Sequence, residues 1–207
     1  LVKETAEANI LEVAKTPSAK DVRKANFKAV KEKMLEDILA SKGEEFYNEH
    51  VSTLKKYFDS LKKGTIRNMM LDENTRLDGR KTDEIRPIWT EVGYLPSTHG
   101  SSIFNRGETQ ALATLTLGTK LDEQMIDTAL DQHYSDFILH YNFPALSVGE
   151  IKPMRGPGRR EVGHANLASR SLKQVLPGDD FPYTIRIVSD ILESNGSSSM
   201  ATVCSGS

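Results

Sequence analysis

The spacing of apolar residues changes once along the chain, from a helical repeat to an alternating one. Up to residue 70, apolar side chains recur every three or four positions, which is typical of amphipathic helices. The predicted helices cover residues 2–15, 19–40 and 44–70. Ser18, just after a proline break, is the predicted N-cap of the second helix. Gly43 separates the last two helices, and Gly64 is a predicted weak point within the third.

The second helix should turn a long apolar stripe toward a core. That stripe consists of Val22, Ala25, Ala29, Val30, Met34, Ile38 and Leu39. The lysines on the outer faces of these helices are predicted to form a solvated surface, with guidance of RNA as the less favoured alternative.

From residue 88 onward, apolar and polar residues alternate, which predicts β-strands. The predicted strands cover residues 88–95, 101–104, 111–118, 137–143 and 183–187. A helix is predicted between the last two strands, from about residue 160 to 175, with Val162, Leu167 and Leu172 facing the core. Because most strands precede the helix, the order favours an α+β layer over a doubly wound parallel sheet.

A polar stretch with the turn signal Asp78-Gly79 separates the two patterns and ends at Pro87. It divides the chain into a helical domain (1–72), a linker (73–87) and a sheet domain (88–207).

The overall composition excludes few functional classes, and the local distribution of charge is more informative. The net charge of -2 and pI near 6.3 exclude a uniformly basic nucleic-acid coat protein. Residues 152–173, however, form a basic island that contains Lys152, Arg155, Arg159, Arg160, Arg170 and Lys173 against Glu161 alone. The single cysteine, Cys204, cannot form a disulfide within the chain, which favours a reducing compartment, and it is predicted to be a core residue. No run reaches transmembrane length, so no membrane partner is expected.

Three consecutive serines, Ser197, Ser198 and Ser199, stand where a helix should begin after the last strand. The unpaired N–H groups of a helix N-terminus attract anions, and the hydroxyls add donors. Capping or turn chemistry is the favoured interpretation of the run by itself, and a phosphate site is the alternative.

Arg159 and Arg160 lie at the predicted start of another helix, where the positive end of the dipole disfavours cations by about 0.3–1 kcal/mol each. An anion held between the guanidinium groups and the helix end would resolve this mismatch. His164 shares a helix face with Arg160. A surface arginine pair with Glu161 as partner is an equally weighted alternative.

Other polar positions give weaker signals. Arg106, in a glycine-containing loop, could contact a nucleic-acid backbone, although pairing with Glu108 is favoured. His133 and His140 lack metal-ligand spacing, so no zinc site is predicted. Asp190 and Glu193 flank the serine run; structural roles are favoured over magnesium binding.

Three motifs resemble the polynucleotide phosphorylase family: Asn105–Leu112, Arg159–His164 and Glu193–Ala201. Residues from about 76 onward resemble the first part of that family's second RNase PH-like domain, and residues 1–72 resemble the helical domain before it. The stretch Thr75–Arg80 is similar to the family's entry into the domain. The resemblance implies an α+β fold in which a small helical domain precedes a partial RNase PH-like (ribosomal S5 domain 2-like) layer domain, truncated at its C-terminal side.

The resemblance implies a phosphorolytic 3′-to-5′ exoribonuclease, a polyribonucleotide nucleotidyltransferase. Inorganic phosphate attacks the last phosphodiester at an RNA 3′ end and releases a nucleoside diphosphate, and the reaction is reversible. It also implies the site residues: phosphate binding by Ser197, Ser198 and Ser199, and catalytic roles for Arg159, Arg160 and His164.

Further expectations follow from the same resemblance. The Mg²⁺ ligands and general acid are expected beyond the end of this chain, with no metal ligand within it, so residues 1–207 alone should be inactive. Phosphate-dependent diphosphate release by those residues would contradict this. A cytoplasmic homotrimer around an RNA channel, mRNA catabolism and a possible RNA degradation complex are also implied.

Two alternatives remain. A non-catalytic RNase PH-like ring subunit could scaffold the ring and guide RNA, but the intact arginine pair and serine run argue against it. A small-molecule phosphate enzyme of unrelated fold would bind its substrate without the steep salt dependence of RNA binding.

Overall fold

Three helices form the first of two units in the computed structural model of the protein; the units span Leu1–Ile85 and Arg86–Ser207. The structure describes residues 1–153, 156–178 and 180–207. The helices of the first unit are α1 (Val2–Lys15), α2 (Lys20–Lys42) and α3 (Glu44–Glu73). Each helix contacts the other two, so their apolar faces meet in one core. α3 runs without interruption through Gly64, the predicted weak point.

The core of the first unit is built from all three helices, and Phe58 of α3, 1% exposed, is its largest fully buried side chain. Burial of such a ring contributes about 1.5–3 kcal/mol. The core residues are Ala6, Ile10, Ala14, Phe27, Met34, Leu35, Ile38, Leu54, Phe58 and Met69.

Two predictions for α2 are wrong. Val22 is 54% exposed, and Ala25 and Ala29 are exposed as well, because the buried side of α2 begins with the larger Phe27. The N-cap is Ala19, which has no side-chain acceptor, and the Ser18 carbonyl accepts a hydrogen bond from Arg23 instead (2.6 Å).

The residues predicted to be a linker carry local polar contacts. Arg80 pairs with Asp78 (Nη2 to Oδ2, 2.9 Å), and Thr75 forms an isolated β-bridge with Lys81. Burial raises the pKa of Asp78, but hydrogen bonds and charge from Arg80 outweigh it and lower the pKa overall. The polar composition here therefore produces an ordered turn.

The second unit is built on a five-stranded mixed sheet. Its strands are β1 (Ile88–Val92), β2 (Gly100–Arg106), β3 (Gln110–Gly118), β6 (Phe137–Asn142) and β7 (Thr184–Glu193), in the spatial order β1-β2-β3-β7-β6. Only β6 and β7 pair in parallel. They are connected through helix α4 (Arg159–Leu172), as a parallel pair requires. The strands and helices are segregated enough to make this an α+β fold.

Two helices pack on this sheet. α4 contacts β6, and α5 (Ser198–Gly206) contacts β2, β3, β7 and α4. The side chains between α5 and the sheet include Phe104, Ala111, Tyr141, Ile191 and Ala201. Leu172 of α4 packs with Phe137, Ile185 and Ile187.

Two core predictions for these helices are wrong. Val162 is 57% exposed, because α4 buries Ala168 and Leu172 on its other side. Cys204 is exposed, because α5 turns Ala201, Thr202 and Ser205 inward.

A separate two-stranded sheet was not predicted. It pairs β4 (Gln124–Asp127) with β5 (Gln132–Ser135). Most of its side chains are exposed, including Met125 (53%) and Tyr134 (64%), so no buried face imposed the alternation that reveals a strand. In the part of the chain that the structure describes, no helix is both long and apolar enough to span a membrane.

Candidate functional site

The serine run lies at the connection between β7 and α5. Gly196 (φ 95°) and Ser197 (φ 49°) both have left-handed backbone conformations, which reverse the chain sharply after the strand. Ser197 is the N-cap residue, but its side chain makes no capping hydrogen bond. The first N–H groups of the helix have no acceptor within it and carry the positive end of its dipole. The start of α5 therefore presents donors that an anion could use.

Two arginines donate hydrogen bonds to the backbone carbonyls of this connection. Arg86 donates a hydrogen bond to the Asn195 carbonyl (2.9 Å), and Arg106 donates to the Gly196 carbonyl (2.8 Å) and, more weakly, to that of Ser197 (3.4 Å). Gly107 (φ 58°) lets Arg86 lie close, since a Cβ there would stand 2.8 Å from the arginine Cδ. The carbonyls of the turn are thus fixed by cations.

Thr109, a buried residue, also forms hydrogen bonds with the backbone of this turn. Its hydroxyl accepts a hydrogen bond from the Asn195 N–H (3.1 Å) and contacts the Gly196 carbonyl (3.4 Å), and the residue is fully buried. The Glu108 carboxylate accepts a hydrogen bond from the Asn195 side chain. Glu108 therefore pairs with Asn195, whereas Arg106 contacts the backbone of the turn; an RNA contact by Arg106 stays a prediction.

Tyr141, near the end of β6, connects the serine run to α4. Its hydroxyl lies 2.7 Å from the Ser198 Oγ, and both residues are buried. The Tyr141 ring also meets the His164 imidazole edge to face, with 5.2 Å between ring centroids. Such contacts fix orientation as well as position. Tyr141 thus holds a residue of the α5 N-terminus and a residue of α4 in one arrangement.

The arginine pair occupies the first two positions of α4, as predicted. Both Arg159 and Arg160 are exposed, and the Glu161 carboxylate accepts a hydrogen bond from the Gly158 N–H at the helix start. Glu161 therefore supplies the negative charge that a helix N-terminus favours. Arg155, part of the basic island, lies outside the described residues.

The His164 imidazole and the Tyr141 phenol both have shifted pKa values, and the charge of Arg160 contributes to both shifts. Burial, and then the charge of Arg160, lower the pKa of His164, although Glu161 opposes this. Burial raises the pKa of Tyr141 despite its hydrogen bond to Ser198 and the charge of Arg160. At neutral pH the imidazole is therefore neutral and the phenol protonated. An anion near Arg160 would cancel part of the cation's effect on His164.

No cation site accompanies this arrangement in the residues that the structure describes, where no group of three or more His, Cys, Asp or Glu could hold a metal ion. Asp190, one of the flanking carboxylates, instead accepts a hydrogen bond from the Asn142 side chain (2.8 Å).

Comparison with family models identifies the sheet unit. Residues 84–207 match the model described as "3′ exoribonuclease family, domain 1". The chain belongs to the 3′ exoribonuclease family. Residues 1–81 match the model described as "Polyribonucleotide nucleotidyltransferase, RNA binding domain".

Curated relatives carry the same description. The polyribonucleotide nucleotidyltransferase of Cytophaga hutchinsonii is 58% identical over 199 residues, which cover 95% of this chain and 27% of that protein. Its counterpart from Amoebophilus asiaticus is 60% identical over 191 residues, 91% of this chain and 26% of the relative. The chain thus spans about a quarter of the length of these relatives. Their names do not favour a non-catalytic ring subunit.

Among solved structures, the rice (Oryza sativa) Rrp46 crystal structure aligns with 18% identity and a TM-score of 0.47, over 63% of this chain and 57% of that one.

Within the 3′ exoribonuclease domain, the structure groups three of the predicted site residues around Tyr141. Ser198 and His164 contact its side chain, and Arg160 acts on it electrostatically. Arg159, Ser197 and Ser199 are neighbours of these residues along α4 and α5.

The residues that support the site do not stand out in the sequence. Tyr141 falls within the predicted strand 137–143, and no motif marks Thr109 or Arg86. One signal could have revealed Tyr141, because a tyrosine in a buried alternating position needs a partner for its hydroxyl. No local signal marks Arg86, which lies far from Asn195 in the sequence.

Proposed function

We propose that this chain forms the phosphate-binding part of a phosphorolytic 3′-to-5′ exoribonuclease, a polyribonucleotide nucleotidyltransferase that releases nucleoside diphosphates from RNA. One observation carries the proposal. Tyr141 joins Ser198 at one helix N-terminus to His164, one turn after the arginine pair of another helix. Tyr141 thereby links the N–H and hydroxyl donors at the start of α5 with the guanidinium donors at the start of α4.

The proposed site works by concentrating donors for two negatively charged reactants. The N–H groups at the start of α5, with the hydroxyls of Ser197, Ser198 and Ser199, bind inorganic phosphate. Arg159 and Arg160 neutralise the repulsion between that phosphate and the scissile phosphodiester, where charge builds up in the transition state. Fixing both groups also removes the entropy cost of bringing them together.

The bond changes are those of a displacement at phosphorus. An oxygen of inorganic phosphate attacks the phosphorus of the last phosphodiester of the RNA. The bond from that phosphorus to the 3′ oxygen of the preceding nucleotide breaks, the 3′ oxygen takes up a proton, and the terminal nucleotide leaves as a diphosphate. Neutral His164 adds no repulsion toward the arginines, and it becomes a hydrogen-bond donor at both nitrogens once protonated.

Other parts of the proposal concern the whole protein. We expect the Mg²⁺ ligands and the general acid to come from regions of the relatives' length that this chain does not cover. A homotrimer around an RNA channel, a cytoplasmic location, a role in mRNA catabolism and a possible RNA degradation complex are proposed on the family resemblance.

The decisive experiment follows the products of a labelled RNA incubated with the full-length protein. Nucleoside diphosphates should appear only when inorganic phosphate is added. Reversing both charges with Arg159→Glu and Arg160→Glu should reduce this release by roughly 10³-fold, the loss expected for a transition-state donor. Arg170→Glu, a matched reversal at the exposed other end of α4, should leave the rate unchanged. Equal rates for the two variants would overturn the proposal and favour a scaffold.

A further inference from the structure

Arg106 lies where the turn between β2 and β3 meets the turn between β7 and α5. Its backbone N–H donates a hydrogen bond to the Thr109 carbonyl (2.8 Å), which closes the first turn. Its guanidinium Nη2 donates to the carbonyl of Gly196 (2.8 Å) and, more weakly, to that of Ser197 (3.4 Å) in the second turn. The Thr109 hydroxyl also contacts the Gly196 carbonyl (3.4 Å). One hairpin turn thereby holds the backbone that leads into α5.

The two carbonyls that Arg106 contacts belong to the peptide units that carry the Ser197 and Ser198 N–H groups. A trans peptide unit is planar, and its N–H points away from its C=O. None of the described peptide bonds is cis. The Ser197 and Ser198 N–H groups therefore point away from the Arg106 guanidinium.

Neither of these N–H groups has an acceptor among the residues that the structure describes. Both precede the first closed turn of α5, in which the Ala201 N–H donates to the Ser197 carbonyl (3.3 Å). The side chain of Ser197 is exposed and makes no capping hydrogen bond. Two neighbouring backbone donors and one hydroxyl are thus available to a bound anion.

The backbone at Ser197 needs support to keep these donors in place. Its φ of 49° and ψ of 50° are left-handed, a conformation that brings the Cβ of an L-residue close to the following carbonyl oxygen. Gly196 is also left-handed (φ 95°), but it has no Cβ. Strained residues persist where surrounding contacts fix them, and they cluster at ligand-binding positions. The hydrogen bonds from Arg106 to the carbonyls before and after the Ser197 Cα are contacts of this kind.

The charge of Arg106 also strengthens the two N–H donors. A cation at a carbonyl oxygen polarises the peptide unit, and hydrogen bonds linked in this way reinforce one another by roughly 10–30%. Arg106 is half-buried, and no carboxylate in the described part of the chain pairs with it, so its charge acts on the turn.

We propose that Arg106 is a positioning residue for inorganic phosphate. It fixes the two peptide units on either side of Ser197, with their N–H groups directed at the anion, and does not touch the anion itself. This inference rests on the proposed function, in which phosphate binds at the start of α5. The assignment differs from that of Arg159 and Arg160, which are proposed to act directly on the reacting phosphates.

A positioning role determines which kinetic constants depend on Arg106. In phosphorolysis the turn binds inorganic phosphate, and in the reverse reaction it binds the terminal phosphate of a nucleoside diphosphate. Weaker N–H donors bind both ligands less well, so the KM of each should rise while kcat changes little. The affinity for RNA should be unchanged, which distinguishes this role from the RNA contact predicted for Arg106.

The test compares Arg106→Met with the wild type in the full-length protein. Methionine removes the cation and its donors but keeps an unbranched side chain. The KM for inorganic phosphate should rise roughly tenfold, with kcat within about twofold of the wild-type value. The dissociation constant for inorganic phosphate, measured by calorimetry without RNA, should rise by the same factor.

A conservative variant and a matched control accompany this comparison. Arg106→Lys keeps the charge and a donor for the Gly196 carbonyl, so it should raise the KM for phosphate by only about two- to threefold, even if Arg106→Met fails to fold. Arg23 of α2 likewise donates to two carbonyls, those of Ser18 (2.6 Å) and Leu77 (3.4 Å). Arg23→Met should lower the thermal stability without changing the KM for phosphate.

The outcomes separate this inference from the catalytic proposal. An unchanged phosphate KM in both Arg106 variants would overturn the inference, and reduced RNA affinity at an unchanged phosphate KM would assign Arg106 to the RNA backbone instead. If the wild type releases no diphosphates but Arg106→Met still weakens phosphate binding, the catalytic proposal fails while this one stands. If phosphorolysis is normal and phosphate binding does not depend on Arg106, only this inference fails.

Discussion

The N-terminus of α5 is buried and supported by side chains from several strands, whereas that of α4 is exposed and supported by its own Glu161. At α5, Ser198 and Ser199 are 5% and 8% exposed. At α4, the arginines extend into solvent. We call the buried, hydrogen-bonded N-terminus of α5 the rigid end. Its donors and the exposed pair of long cationic side chains on α4 suit different tasks. The first positions a small anion, and the second adapts to a larger substrate that arrives and departs.

Among single substitutions that test this comparison, the largest expected effect comes from placing a negative charge at the rigid end. Ser197→Asp puts a carboxylate at the N-cap of α5, which stabilises the helix by about 0.3–1 kcal/mol through its dipole. The same carboxylate repels phosphate, so phosphorolysis by the full-length protein should fall about 100-fold or more. Thermal unfolding should show no loss of stability. Ser197→Asn, which keeps the shape without the charge, serves as the control and should retain most activity.

A second substitution tests whether Tyr141 couples the N-terminus of α5 to that of α4. Tyr141→Phe leaves the buried Ser198 hydroxyl without its 2.7 Å partner, which should cost about 1–3 kcal/mol in urea unfolding. The KM for phosphate should rise by roughly tenfold, equivalent to about 1.4 kcal/mol. Tyr134→Phe, on the exposed hairpin, should change neither quantity. An unchanged KM for Tyr141→Phe would show that the two helix ends act independently.

A third change loosens the support beneath the rigid end. Thr109→Val preserves side-chain shape but removes the acceptor of the Asn195 N–H. We expect a loss of about 1–2 kcal/mol of unfolding free energy and a KM for phosphate raised several-fold. Thr116→Val, at an exposed position of β3, is the matched control. If both variants behaved alike, the Thr109 contacts would not contribute to phosphate binding.

The smallest effect concerns the charge state of His164. Its pKa is lowered by burial and by Arg160, so an NMR titration should find its midpoint below the usual 6.5 and phosphate should shift the midpoint upward. Because the unfolded chain binds the proton more readily, the stabilising contribution is present above pH 6.5 and is lost as pH falls toward the folded pKa. His164→Gln should flatten that pH dependence. If phosphate left the midpoint of the His164 titration unchanged, the anion would bind elsewhere.

The sequence was most informative where the packing partners lie close along the chain. Helical periodicity located α1, α2 and α3, and the helix predicted to begin at the arginine pair does begin there, as α4. Periodicity did not determine which apolar residues of α2 face the core. A helical stripe that contains Val22 and one that contains Phe27 both show the spacing of an apolar helix face. Only the shape of α1 and α3 decides between them.

The sequence indicates the candidate anion donors but not the residues that support them. Arg159 and Arg160 are visible because cations at a helix N-terminus violate a local preference, and the serines are visible as an uninterrupted run of three. The contacts from Arg86 and Thr109 to the turn at Asn195 involve residues far apart in the chain, and they depend on the sheet order that places β3 beside β7. No local pattern encodes such an encounter.

The position of β7 in the sheet has a consequence for how the protein is made. β7 follows the other described strands in sequence, yet it lies between β3 and β6, and Gln110 of β3 pairs with Glu193 at its end. During synthesis β3 and β6 therefore emerge with unpaired edges and stay so until the residues through Glu193 have left the ribosome. Closing such distant pairs is slow, because the entropy of the intervening loop is lost before the contacts form. We therefore expect the second unit to depend on protection of those edges during translation, whereas the helical unit, with its locally closed contacts, folds early.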